Sequence, residues 1–280
     1  MTSYLFILGR TPELAFLELK TFLPDVTLIS ESVAMSANSV PIDKLGGTIK
    51  IAEIIGNVRS LTPETLAPYI DSQTFGLSYY GENQKPSRSL LEGIKTMLAG
   101  SGRHVRFVEP RGGNELSSVV IQKQHVQEYV IVKKQDEYLV GKTTEVQPFE
   151  EWNIRDYGRP YADPKAGMLP PKVSRMVVNI ADRSRDIGKP LAQKTLLDPF
   201  CGMGTILGEA LVMGWNVVGS DVNAEVVTRA RANMRWLTET KAVAEGVTYR
   251  FHVSDAVHVS NVIDANTIDA IVTEPFMGSS

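Results

Sequence analysis

A single cysteine in 280 residues leaves no internal disulfide and no thiolate zinc cluster to build. That suits a reducing, cytoplasmic compartment. The four histidines, His104, His125, His252 and His258, fall at no metal-ligand spacing, so no metal is expected. No stretch approaches the roughly 18 apolar residues that span a bilayer. The opening MTSYLFILGR has no basic n-region, so no signal peptide is expected either. There is no internal repeat and no low-complexity tract. The net charge of −3 argues against a protein that coats nucleic acid indiscriminately.

What is present is an ordinary globular composition, with 43% hydrophobic and 22% charged residues, at a length that suggests about two domains. The charge is unevenly spread. Residues 1–82 carry a net −4, residues 83–194 a net +6 and residues 195–280 a net −5. A basic middle between acidic flanks can be solvated surface or a phosphate-facing surface.

The hydrophobic pattern predicts an α/β chain. Residues 4–8 read as a buried strand, and Thr11-Pro12 reads as the cap and first position of a helix through Phe22. Strands are expected at 27–30 and 33–35, and a strand or helix at 48–55. A helix is expected at 62–70. A second α/β unit follows, with a strand at 75–80, a helix at 87–99, a strand at 104–108 and a helical stretch at 116–126. Residues 128–133 and 137–144 read as a hairpin turning at Lys134, Gln135 and Asp136. Residues 145–171 hold four prolines within the last 20 positions and are expected to be a linker or structured arm without a long regular element. From 172 the pattern is a helix (172–184), then strands at 195–200, 217–221, 249–255 and 268–275 with helices at 205–213 and 224–237. That alternation predicts a doubly wound parallel sheet.

The densest motif is Asp198-Pro199-Phe200-Cys201-Gly202-Met203-Gly204-Thr205, at a strand-to-helix junction. Glycines there permit a tight turn and close approach of a ligand. The spacing is not the dinucleotide fingerprint G-x-G-x-x-G. Asp198 would also repel a pyrophosphate, whereas a carboxylate suits a cationic amino group such as that of S-adenosylmethionine. Asp221, 17 residues beyond Gly204 at the end of the next strand, is placed to take ribose hydroxyls or to cap the helix that follows. Asp255 ends the third strand, near where an adenine would lie, or is a turn aspartate. After the fourth strand comes Thr273-Glu274-Pro275-Phe276. An acid and a backbone carbonyl that accept both hydrogens of an exocyclic amine would turn its lone pair towards a methyl donor, and an aromatic ring would stack on the base. Cys201 reads as a small loop residue rather than a nucleophile.

On these motifs the chain resembles the THUMP-containing tRNA methyltransferases that modify guanosine-10 at N2. YLFILGRTPELAFLEL at 4–19, YLVGKTTEVQPFEEW at 138–152, RDYGRPYADPKAGMLPPKVSRMVVNIA at 155–181 and LLDPFCGMGTILGEAL at 196–211 carry the resemblance. It implies a ferredoxin-like subdomain (1–72), a THUMP-like RNA-binding domain (73–148), a linker (149–171) and a Rossmann-like class I methyltransferase domain (172–280). It implies S-adenosylmethionine as cofactor and tRNA or another structured RNA as partner. Asp198, Phe200, Gly202, Gly204 and Thr205 would line the methionine end, Asp221 would bind ribose and Asp255 the adenine amine. Glu274, Pro275 and Phe276 would form the catalytic motif. The family's motif is usually Asp-Pro-Pro-Tyr. Here the acid is one methylene longer, the second proline is absent and the aromatic comes one position early. Four strands are counted where a class I methyltransferase sheet has seven, so the domain is expected to be incomplete at its C-terminal end. A DNA base amino-methyltransferase and a non-catalytic RNA-binding protein on the same scaffold are the alternatives.

Overall fold

A computed structural model describes residues 2–81, 86–163, 168–182, 194–240, 243 and 245–275. The chain forms two compact units, Met1–Phe149 and Glu150–Ser280.

The first unit is built on β1 (Tyr4–Leu8), β2 (Thr27–Ser30), β3 (Val33–Ser36), β4 (Thr48–Val58), β5 (Thr74–Tyr80), β6 (Arg106–Phe107), β7 (Gln127–Lys134) and β8 (Glu137–Val146). These strands join in one sheet of order β2-β3-β1-β4-β8-β7-β5-β6. The run at 48–55, readable either way in sequence, is therefore a strand. Its eleven residues pair with β1 on one side and β8 on the other. The two modules expected at 1–72 and 73–148 are thus continuous through the β4–β8 pairing. Helices α1 (Pro12–Phe22), α2 (Pro63–Leu66), α3 (Arg88–Gly100) and α4 (Ser118–Gln124) complete the unit. Both faces of β7 are buried. Tyr129 and Ile131 pack with Phe75, Leu77, Leu91 and Ile94, while Val130 and Val132 pack with Leu5, Ile7 and Val33. The alternation is the period of two that a strand imposes.

Local departures from the sequence expectations have local causes. Thr11 makes no side-chain cap to α1; Pro12 at the first position initiates it instead. The helix expected at 62–70 is four α-helical residues followed by a 3₁₀ turn, Ala67–Tyr69. Pro68 has no N–H to continue the ladder. The hairpin turns as expected, with Gln135 in the left-handed region (φ 55°).

In the second unit, α5 (Phe149–Tyr157), of which Phe149 ends the first, is a nine-residue helix inside the stretch expected to be a linker. The four prolines that suggested irregularity, at 160, 164, 170 and 171, all follow it. Next come α6 (Pro171–Ala181), β9 (Thr195–Asp198), α7 (Thr205–Val212), β10 (Asn216–Asp221), α8 (Ala224–Glu239), β11 (Tyr249–Val253) and β12 (Ala270–Ile271). The four strands are parallel in the order β11-β10-β9-β12. The last is two residues long, against the eight expected at 268–275. Leu196, Leu207, Leu211, Trp215, Val217, Met234 and Phe251 form the core between sheet and helices. Gly219 on β10 is required by that packing: a Cβ there would come within 2.6 Å of both Leu207 and Phe251. No described helix is long and apolar enough to cross a membrane.

Candidate active site

Parallel pairing brings the C-terminal ends of β9, β10 and β12 to one edge of the sheet, the place where open α/β sheets bind ligands. A cleft of about 290 Å³ lies there, lined by Asp198, Phe200, Cys201, Gly202, Met203, Thr205, Asp221 and Glu274, and closed by Asp163, Met168 and Leu169 from the segment before α6.

Asp198 ends β9 and is 2% exposed. Its Oδ1 accepts from the Phe200 N–H at 3.1 Å and from the Thr273 hydroxyl at 2.7 Å. Burial pushes its pKa up to about 6; the two hydrogen bonds oppose that, and the charges of Asp221 and Glu274 reinforce it. Among the described residues, the cleft lining includes Asp163, Asp198, Asp221 and Glu274, and no lysine, arginine or histidine.

The glycine loop is held from both ends. The Cys201 N–H donates to the Ser220 carbonyl at 2.9 Å and the Gly204 N–H to the Cys201 carbonyl at 2.8 Å. Gly202 and Gly204 have φ of 48° and 80°, in the left-handed region. At Gly204 a Cβ would also lie 3.1 Å from Met234. Asp221 is tied into the same loop, its Oδ2 accepting from the Gly202 N–H at 3.2 Å and its Oδ1 from the Asn223 N–H at 2.9 Å. The helix-cap role belongs to Asn223, which accepts from the N–H groups of Glu225 and Val226. Asp221 therefore remains at the cleft. Phe200 is 46% exposed at its lip. The Cys201 thiol is buried, and burial with Asp198 and Asp221 nearby pushes its pKa up, which opposes a nucleophilic role.

Two candidates stand apart. Asp255 is exposed and outside the cleft lining, and its Oδ1 caps the 3₁₀ segment Ala256–Asn261 by accepting from the Val257 N–H at 3.0 Å. Glu274 reaches the cleft and Pro275 is exposed beside it, while Phe276 lies outside the described residues.

The sequence reading missed the arm. Glu209 of α7, buried, pairs with Arg155 of α5 at 2.7 Å and with Arg175 of α6 at 2.8 Å, and both guanidinium groups stack on Trp152. Arg159 donates to the Thr205 hydroxyl at 2.7 Å. Buried Asn233 of α8 exchanges two hydrogen bonds with the Tyr161 backbone and donates to the Met203 carbonyl at 3.0 Å, fastening arm to glycine loop. A polar residue on the buried face of α8, beside Ala230, Met234 and Leu237, was the available signal.

A parallel sheet with helices packed on it, a glycine loop at the first helix and an acid at the end of each of the first two strands define a Rossmann-like, class I methyltransferase domain. Residues 159–280 match the UPF0020 family, RMKL-like, methyltransferase domain. The match covers 122 of the 280 residues, the C-terminal part of the chain. Among similar proteins is the tRNA (guanine(10)-N2)-dimethyltransferase of Pyrococcus abyssi, 34% identical over 122 residues, 44% of this chain and 32% of that protein. The protein of the same name from Methanothermobacter thermautotrophicus is 33% identical over 148 residues, 52% of this chain and 38% of its own. The matches thus span about a third of these relatives' length. The solved structure of TrmN from Thermus thermophilus aligns with 99% of this chain and 80% of its own, with a TM-score of 0.58 at 17% identity, a likeness of fold.

Proposed function

We propose that the protein transfers a methyl group from S-adenosylmethionine to an exocyclic amine of an RNA base, guanine N2 in tRNA. The observation that carries this reading is the acidic cleft: a buried carboxylate, Asp198, faces a cavity whose described lining includes three further acids and no cation. Such a lining repels a pyrophosphate and suits a ligand with a sulfonium and an ammonium group. Asp198 would take the ammonium, Asp221 the ribose hydroxyls, and the turn through Gly202 and Gly204 lets the ligand lie against backbone. The cofactor, when bound, supplies an electrophilic methyl group.

The chain's own residues do the rest. Glu274 accepts one hydrogen of the target amine and the backbone carbonyl of Pro275 the other, which turns the nitrogen lone pair towards the methyl. Phe276 is the aromatic that stacks on the base. The basic middle of the chain, residues 83–194, supplies the surface that contacts RNA phosphates, which positions the RNA without reading its sequence.

The Glu274-Pro275-Phe276 motif suits an exocyclic amine in RNA or in DNA, and the names of the relatives favour tRNA. The test is incubation with methyl-labelled cofactor and tRNA, DNA or neither. Label on guanine N2 of tRNA is the expected result. Label in DNA alone would replace the substrate, and cofactor binding with no label in either nucleic acid would leave an RNA-binding protein.

A further inference from the structure

Asp198 and Thr273 are 75 residues apart, yet they share a hydrogen bond, Thr273 Oγ1 to Asp198 Oδ1 at 2.7 Å. The backbone sets it up. The Val272 N–H donates to the Leu197 carbonyl at 3.0 Å, continuing the β12–β9 pairing by one residue and bringing Thr273 beside Asp198. Thr273 directly precedes Glu274, which reaches the same cleft. With the Phe200 N–H also on Oδ1, that oxygen's two lone-pair directions are filled from the loops after β9 and after β12. Oδ2 is then the oxygen left for a ligand, and the one on which an acidic proton resides.

We propose that Thr273 is a positioning residue that couples the two halves of the site. Its hydroxyl fixes which oxygen of Asp198 meets the cofactor's ammonium and, through that bond, holds the Glu274-Pro275 loop in register with the bound cofactor. The coupling rests on the reading of the cleft as an S-adenosylmethionine site. It requires Asp198 to be an anion when the ligand is present, because the Thr273 hydroxyl donates more strongly to a carboxylate oxygen than to the carbonyl oxygen of the protonated acid. Among the described lining residues, the other titratable groups are Asp163, Asp221 and Glu274 from the surrounding loops and the buried Cys201 thiol.

The test is titration of S-adenosylhomocysteine, which keeps the ammonium, into the wild-type chain, Thr273→Val and Thr273→Ser between about pH 5 and pH 8. Wild-type binding weakens as the pH falls through about 6. In Thr273→Val, losing a donor to the ionised form weakens binding about tenfold at neutral pH and moves the weakening up by about one pH unit. Thr273→Ser restores both. Hydrogen exchange supplies the second readout: ligand slows exchange at residues 272–274 in the wild type and in Thr273→Ser, but not in Thr273→Val at saturation. An unchanged pH midpoint together with retained slowing in Thr273→Val overturns the coupling while leaving the cofactor reading intact. Absence of binding to the folded wild type at every pH overturns the cofactor reading, and the coupling with it.

Discussion

Each unit buries a carboxylate among strands, and the two are treated in opposite ways. In the first unit Glu128 of β7 is 0% exposed and meets the Lys50 ammonium of β4 at 2.7 Å. It also accepts from Ser78 of β5 and Thr143 of β8, while Lys50 reaches the Tyr80 hydroxyl and the Leu116 carbonyl. Four strands converge on one neutralised network. In the second unit Asp198 is also buried and has two neutral donors and, among the described lining residues, three further acids and no cation. A buried charge costs several kcal/mol unless it is paired. The first unit meets that cost internally and gains a fixed strand register. The second leaves it standing among its described residues, and a cationic ligand would relieve it. The contrast separates a structural polar cluster from a binding site without reference to any relative.

The contrast breaks most visibly at Lys50. Lys50→Met leaves Glu128 buried without a counter-ion and should cost about 3–5 kcal/mol of the first unit's stability, read from denaturant unfolding. Removing the pair together, Lys50→Met with Glu128→Leu, should cost less than either single change. A double-variant loss equal to the sum of the two single losses would mean that the charges do not depend on each other.

Asp198 should respond with the opposite sign. Its pKa of about 6 in the folded chain lies above the value of 3.8 for a free carboxyl. Between those pH values the folded state holds a proton that the unfolded state has released, so stability falls as pH rises from about 4 to 6 and stays lower above. A displacement of about two units corresponds to about 3 kcal/mol. Asp198→Asn should therefore raise the melting temperature at neutral pH, flatten that slope and abolish binding of S-adenosylhomocysteine. A stability loss comparable to that of Lys50→Met would show instead that the carboxylate is needed by the fold.

The smallest effect is expected at Asp255. Asp255→Ser keeps a capping oxygen and should change stability by less than about 0.5 kcal/mol, whereas Asp255→Ala should cost about 1 kcal/mol. A fall in cofactor affinity common to both variants would add an adenine contact to its capping role. Unchanged affinity would leave it a cap.

Much of the site was legible because its elements are local. The octet from Asp198 to Thr205 lies on one strand end, one turn and one helix start, so residue type and spacing suffice to place it. Asp221 was legible because a parallel sheet repeats the geometry at the end of the next strand. The arm was not. Composition marked residues 152–171 as irregular, yet the helix ends at Tyr157 and the prolines begin at Pro160. The ion pairs that dock it join residues 54 and 34 positions apart. Lys50 was equally hidden, because in TIKIAEII a lysine reads as a solvent-facing position and its partner is 78 residues away.

The sequence alone therefore determined most of the strands and helices, though not the strand at 48–58 or the helix at 149–157, together with the glycine turn and the acids at the strand ends, since each depends on neighbours along the chain. Only the tertiary structure decided that residues 1–149 share one sheet, that the arm walls the cleft, and that Asp198 bonds to Thr273. Those contacts join distant segments, and their partners are chosen by pairing and packing.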